Sequence, residues 1–332
     1  MKSFVMSDIQ KLAFDAANGK VREGLTKEQM NDAVRNAVIE ACGGEWNVYK
    51  FMANRYGVFA IIAELMPVSM HSNLIGKFED FAEFKDTALA DKPYFVVEDD
   101  AVYPVVTCAR GNQDIERNKI IDKNFTVPTI VKGIKFYEEL DMFMSGKMDL
   151  SRLSEKATEA MSNYVGELIS TTIYGSYSSL ATRVKTTGAF DAATLNTMIE
   201  HIKASTGATS VQIFGTTSAL SNIVDAFGYS DGAKDRANSW GYYGEFRGTT
   251  LIALPQAYTA GTPGTFHVDV NHIVIVPSTE KIVKVLFEGE PFVNMVDPMT
   301  RNDMQTEILF QRRIGAAAIT VNEGKYGIYK FS

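Results

Sequence analysis

Residues 94–137 constrain this 332-residue chain more than any other stretch. Two runs, PYFVVEDDAVYPVVTCARG and FTVPTIVKGIKFYEEL, are β-branched, aromatic and alternating, the pattern of extended strands. Between them lies GNQDIERNKIIDKN, Gly111 to Asn124, which is polar and mixed in charge. Two long strands around a charged tip describe a protruding β-hairpin. Pro104 and Pro128 cannot donate to a ladder, so they suit an exposed arm better than a central sheet. Such an arm gains little by folding back on its own polar tip, whereas laid across a neighbour it buries area on both partners.

The sequence before the arm is helical. Ser7-Asp8-Ile9-Gln10 and Thr26-Lys27-Glu28-Gln29 are capping boxes, each followed by apolar residues at helical spacing, and a third helix is expected from about Trp46 to Leu65. After the arm comes the longest helical signal, opening at Asp149-Leu150-Ser151. Leu153, Ala157, Ala160, Tyr164 and Leu168 recur every three or four residues, and Met161, Val165, Ile169 and Ile173 widen the face. Continued to about Ala181, it is a strut of roughly thirty residues, ~45 Å. From Phe190 to Pro277 helices and strands alternate, as in one compact α/β unit. The last fifty or so residues return to strand with KIVKVLFEGEPFV, QTEILFQRRIGAAAITV and YGIYKF.

Chemistry is hard to find. The segment SVQIFGTTSALSNIVD ends a strand at Gly215 and enters a helix, the geometry of an anion site, but it lacks G-x-G-x-x-G and the lysine of a phosphate loop. A Thr or Ser N-cap accounts for it more simply. In WGYYGEFRGTTLIALPQA the glycines at 241, 244 and 248 have a spacing that matches no phosphate loop, and they read as turn formers. Arg312 and Arg313 sit in a strand and point to opposite faces, which suits an interface ion pair better than phosphate binding. Four scattered histidines show no metal spacing, and Cys42 and Cys108 lie in apolar surroundings, as buried free thiols do. No catalytic, cofactor-binding or metal-ligating residue is expected. A net charge of −7, from 33 basic against 40 acidic residues, excludes a dedicated nucleic-acid binder. No run approaches the ~18 apolar residues of a spanning helix, so no membrane partner is expected.

Taken in order, these parts resemble the major capsid proteins of tailed bacteriophages, an α+β fold of the Hong Kong-phage type. The likeness runs from about residue 46 to the end, and VQIFGTTSALSNIVD, WGYYGEFRGTTLIALPQA and NHIVIVPSTEKIVKVLFEGEP are its most specific local matches. The resemblance implies an N-terminal arm (1–80), an extended β-hairpin loop (81–138), a peripheral domain with a spine helix (139–187), an α/β axial domain (188–280) and return strands of the peripheral domain (281–332). It implies a structural protein rather than an enzyme, one that assembles with itself as hexamers and pentamers into an icosahedral shell. That shell encloses double-stranded DNA without sequence-specific contacts. A separate scaffolding protein, a portal and decoration proteins are the partners it suggests, the virion the location, and the host bacterial cytoplasm the place of assembly.

The charged residues Arg110, Asp114, Glu116, Arg117 and Lys119 at the hairpin tip are the expected subunit-interface set, offering both signs for rim pairing. The alternatives are an encapsulin-like cellular compartment shell and, from another class, an α/β enzyme using the helix N-terminus near Gly215.

Overall fold

The computed structural model describes residues 36–37, 39–45, 47, 49–57, 82–97, 103–108, 110, 117–120, 122–139, 150–224, 230–259, 261–262, 264–296, 305–320 and 324–332. The two capping-box helices lie outside the described residues. Of the third, residues 49–57 are helical and Phe51 is buried; the remainder also lies outside.

In chain order the strands begin with β1 (Ala82–Thr87), β2 (Phe95–Val97), β3 (Lys123–Phe125) and β4 (Ile130–Glu139). The strut follows as α1 (Leu150–Gly175). Then come β5 (Lys185–Gly188), α2 (Ala192–Thr206), β6 (Val211–Gly215), α3 (Thr217–Ser221) and α4 (Asp231–Trp240). The chain closes with β7 (Glu245–Phe246), β8 (Thr249–Ala253), β9 (His272–Pro277), β10 (Val283–Val296), β11 (Gln305–Ala318) and β12 (Gly327–Phe331).

Helix α1 forms because its apolar residues repeat every fourth position. Ala157, Met161, Val165, Ile169 and Ile173 are all buried, with Tyr164 and Leu168 half-buried beside them. It runs 26 residues, about 39 Å, rather than the expected thirty. The serines explain the early end. The Ser170 hydroxyl donates to the Gly166 carbonyl at 2.9 Å and that of Ser176 to Ile173, and the chain tightens into a 3-10 turn over Ser176–Ser179.

One face of α1 packs on a four-stranded sheet of order β1-β10-β11-β4, in which β1 runs parallel to β10 and the other pairs are antiparallel. Alternation puts Val283, Val285, Phe287, Phe310 and Ile314 on the helix side, all buried. The long β10–β11 ribbon bends where Glu288 pairs with Arg313 but Phe292 with Gln311, leaving Gly289, Glu290 and Pro291 opposite Arg312 alone. Gly289 has φ +72°, which suits the bulge.

The second sheet has six strands, β5-β12-β9-β6-β8-β7. Every residue of β9 is buried, as its unbroken apolar run HIVIVP requires of a central strand. Here the reading of residues 281–332 is corrected. β10 and β11 do return beside the helix, but β12 pairs with β5 and β9 in the six-stranded sheet. Tyr326, Ile328 and Tyr329 are almost wholly apolar and fully buried there, and an isolated apolar strand does not reveal which of two cores it completes. Helix α2 lies on this sheet with Asp191 as its N-cap, the carboxylate accepting from the amides of Ala193 and Thr194, and Gly207 in the left-handed conformation at its end.

Both sheets and α1 share one apolar core. Ile169, fully buried at its centre, gives a direct test: Ile169→Ala should lower the unfolding free energy by about 2–5 kcal/mol in denaturant titrations of the subunit. A loss below 1 kcal/mol would place α1 outside the cooperative core.

Candidate functional site

The sequence offered two places for chemistry and one for assembly. At Gly215 the helix that follows has only five residues, and its N-cap Thr216 is buried with its hydroxyl accepting from the Ala219 amide at 3.1 Å. A Cβ on Gly215 would lie 2.9 Å from the Ile273 side chain, so the glycine serves the close approach of β9. The helix end is closed by its own chain.

The glycine-bearing stretch is equally structural. Gly241 (φ +81°) caps α4 by donating to the Ala237 carbonyl, Gly244 sits against the Trp240 ring, and Arg247 and Gly248, both with positive φ, make the two-residue turn between β7 and β8. Arg312 and Arg313 do point to opposite faces, but each pairs within the chain. Arg312 is buried, 2.8 Å from Asp86 and stacked over Phe287, and Arg313 approaches Glu288 at 3.5 Å. Among the described residues no group of His, Cys, Asp and Glu could hold a metal.

The arm is where the molecule is unfinished. It was expected as two long paired strands; among the described residues only Phe95–Val97 and Lys123–Phe125 pair across the arm, as β2 and β3. The rest of the second run is β4, which pairs with β11 in the main sheet. Residues 103–108 form no regular secondary structure, and the Tyr103 hydroxyl donates to the Lys119 carbonyl at 3.1 Å, joining the two limbs beyond the short pairing. Cys108, expected buried, is exposed because its apolar neighbours project with it.

The root of the arm is rigidly placed. It crosses the outer face of the four-stranded sheet, where Phe95 and Val127 cover Leu286, flanked by Phe125 and Ala317. Gly315 makes the crossing possible: a Cβ there would stand 2.2 Å from the Pro128 carbonyl oxygen. Glu288, buried on β10, then pins both limbs. Its carboxylate accepts from the Ala90 amide at 2.9 Å, just before β2, and from the Thr129 hydroxyl, just after β3. Those hydrogen bonds, helped by Arg313 and Lys92, hold the Glu288 carboxyl below the usual carboxylate range. Ala90 is held at φ +68°, a conformation an alanine rarely adopts.

Beyond the root the apolar residues are uncovered. Val105 is 100% exposed, and Tyr94, Val96, Val106 and Ile120 are each more than half exposed. A monomer rarely leaves so much apolar surface on one projection. Of the expected interface charges, Arg110, Arg117 and Lys119 are exposed on the arm, while Asp114 and Glu116 lie outside the described residues. Sequence reasoning missed Glu288 and Gly315. The bulge signature Gly289-Glu290-Pro291 beside Glu288 was the available signal for the first; Gly315 inside an Ala-rich strand had none.

Comparison with known proteins follows the same direction. A family model described as "SPbeta prophage-derived putative capsid protein YonB" matches residues 7–328. No curated protein sequence matches. Among solved structures, the asymmetric unit of the bacteriophage PhiM1 mature capsid aligns with TM-score 0.56 at 9% identity, over 77% of this chain and 86% of that one. The capsid of cyanophage P-SCSP1u aligns at 0.52 and 11% identity, over 77% and 88%. The capsid of the native GTA particle aligns at 0.52 and 12%, over 77% and 90%. At these identities the likeness is one of fold, and it spans nearly the whole of each capsid chain.

Two substitutions test the root. Gly315→Ala should cost about 1–3 kcal/mol of subunit stability, because Pro128 has to move. Glu288→Gln should lower the melting temperature at neutral pH. A carboxylate whose folded pKa is depressed stabilises above its unfolded pKa, and that stabilisation is lost as pH falls through the folded value. The melting gap between wild type and Glu288→Gln should therefore close in acid, and a gap independent of pH would remove Glu288 as the pin.

Proposed function

This chain belongs to the YonB family of SPbeta prophage-derived capsid proteins, and we propose from that premise how it works as a shell subunit. It is a major capsid protein, with a structural role and a place in the virion capsid. The observation that carries the mechanism is the arm: pinned at its root by Glu288 and Gly315, bare beyond it. Full burial is worth roughly 1.5–3 kcal/mol for each large apolar side chain. The exposed valines, isoleucine and tyrosine of one arm can therefore hold one neighbour, and a closed shell repeats that contact for every subunit. The arm is the extended loop, α1 with the four-stranded sheet is the peripheral domain, and the six-stranded sheet with α2 is the axial domain that meets its copies around the fivefold and sixfold axes.

In this reading the charges Arg110, Asp114, Glu116, Arg117 and Lys119 set the register of neighbouring subunits at the rim, and the protein carries out no catalysis. The shell is built of hexamers and pentamers in the host cytoplasm, with a separate scaffolding protein, a portal and decoration proteins as partners. The net charge of −7 keeps enclosed DNA from adhering to the wall. A cellular compartment shell is not favoured, because the matching family model is described as prophage-derived and phage capsids are among the solved structures that share the fold.

Negative-stain microscopy and sedimentation of the expressed chain test this. Wild-type protein, alone or with its scaffold, should give shells, tubes or ring-shaped capsomers. A Val105→Asp, Val106→Asp double variant should keep the wild-type circular dichroism spectrum and melting curve yet stay unassembled, since both residues are exposed and outside the core. Wild-type protein that stays monomeric under all these conditions, or a double variant that assembles normally, contradicts the role given to the arm.

A further inference from the structure

We propose that His272 is an acid-sensitive latch between the end of helix α1 and the six-stranded sheet, closed while its imidazole is neutral and released when the ring takes up a proton. The inference goes beyond the reading of the chain as a shell subunit and holds for the subunit alone. His272 opens β9, the fully buried strand of that sheet, and its side chain points to the face on which α1 ends. There the Tyr174 ring, from the last turn of the helix, lies against it with centroids 4.6 Å apart and planes 32° apart. Two further contacts hold this end of the helix through the turn that follows it. The buried Tyr326 hydroxyl donates to Ser176 Oγ, and the hydroxyls of Tyr177 and Thr187 meet at 2.7 Å.

Packing beside the latch is loose. Ser170, Ile173 and Tyr174 of α1 face Phe214, Val274 and Val276 of the sheet across a cavity of about 10 Å³. It is lined mostly by apolar atoms and is no larger than one water, so it stays dry and leaves the side chains room to shift. His272 Nδ1 also lacks an aligned hydrogen-bond partner. Asp269 Oδ2 stands 3.0 Å away but out of line, and Asp269 Oδ1 accepts from the Asn271 amide at 2.8 Å.

Three groups face the ring: Asp269 from the turn before β9, Lys330 from β12 and Tyr174 from α1. Lys330 is the register partner of His272, so the two share a face of the sheet. Burial pushes the His272 pKa below the usual histidine value; Asp269 opposes this and Lys330 adds to it. Tyr174 is no rival sensor, because burial, with Asp269 adding, raises its hydroxyl well above the ordinary tyrosine range. At neutral pH His272 is therefore an uncharged aromatic plate. Protonated, it is a cation that burial penalises and Lys330 repels. The Tyr174 face attracts that cation, but only water and a carboxylate restore what burial removes. Both are reached by turning toward Asp269, whose side chain is 44% exposed, and that turn leaves Tyr174 behind. A histidine with a depressed folded pKa costs nothing above its unfolded value, 6.5, and destabilises increasingly as pH falls from there to the folded value. Within that window each opening takes up one proton, so the opening equilibrium rises about tenfold per pH unit.

Hydrogen exchange of the full chain, corrected for the intrinsic pH dependence of amide exchange, reads the latch at residues 170–179. Between about pH 7.5 and 5 these amides should lose protection while those of α2 keep theirs. His272→Phe keeps a ring against Tyr174 and cannot be protonated, so its protection should not change with pH. Lys330→Gln, at an exposed position, should move the wild-type midpoint to higher pH, and Asp269→Asn should move it lower. A wild-type profile flat with pH overturns the latch. So does a His272→Phe profile equal to that of wild type, or a midpoint unmoved by Lys330→Gln. Should His272→Phe fail to fold, the direction of the Lys330→Gln shift decides by itself.

Discussion

The crossing of the arm's root over the four-stranded sheet is the contact on which the rest depends. Gly315 lets the Pro128 backbone pass where a side chain would block it, Leu286 receives Phe95 and Val127, and the buried Glu288 carboxylate ties down the chain on both sides of the arm. With three independent constraints at one end, the direction of a long projection is fixed before any partner arrives. Preorganisation of this kind cuts the ordering cost of association, which would otherwise absorb much of what the exposed valines and tyrosines return on burial.

That root is stiff only because the sheet beneath it is. β1 lies more than two hundred residues from β10 along the chain, and a parallel edge strand is held weakly by its ladder alone. Two ion pairs reinforce it. Lys284, buried, reaches Glu83 at 2.5 Å, and Arg312, buried under the Phe287 ring, reaches Asp86 at 2.8 Å. Burial lowers the Arg312 pKa while Asp86 raises it, so the carboxylate offsets part of the cost of desolvating the guanidinium. These pairs span both faces of the sheet. Their geometry fixes the register of β1, and β1 leads directly into Ala90 and the arm.

Local pattern carried much of this architecture, and its failures share a cause. The spine helix, the strand–helix alternation of 190–277 and the long β10 and β11 follow from periodicity, because each buries one continuous face. The structural role of Gly241, Gly244 and Gly248 followed from their spacing and neighbours. What failed was always a question of which surface covers an apolar run. Within FTVPTIVKGIKFYEEL, Ile130–Glu139 is strand as expected, but its partner is β11 and not the opposing limb. YGIYKF is strand, but it completes the other sheet. PVVTC reads like core and is exposed. Composition records that a segment wants cover; it does not record whose.

This ambiguity has a physical consequence. A segment such as 103–108 is apolar enough to be a core strand yet is placed by a charged, rigid root where its own core cannot reach it. In an isolated subunit such a segment is a liability of the kind that drives aggregation. Under the function proposed above, a neighbouring subunit covers it. On that proposal the contact is heterologous, so each subunit would both give an arm and receive one, and such repetition ends only by closure. The bulge at Gly289–Pro291 and the hydrogen bonds to the buried Glu288 carboxylate fix how the arm leaves its own sheet, and under that proposal this direction is what would select a closed shell over a tube.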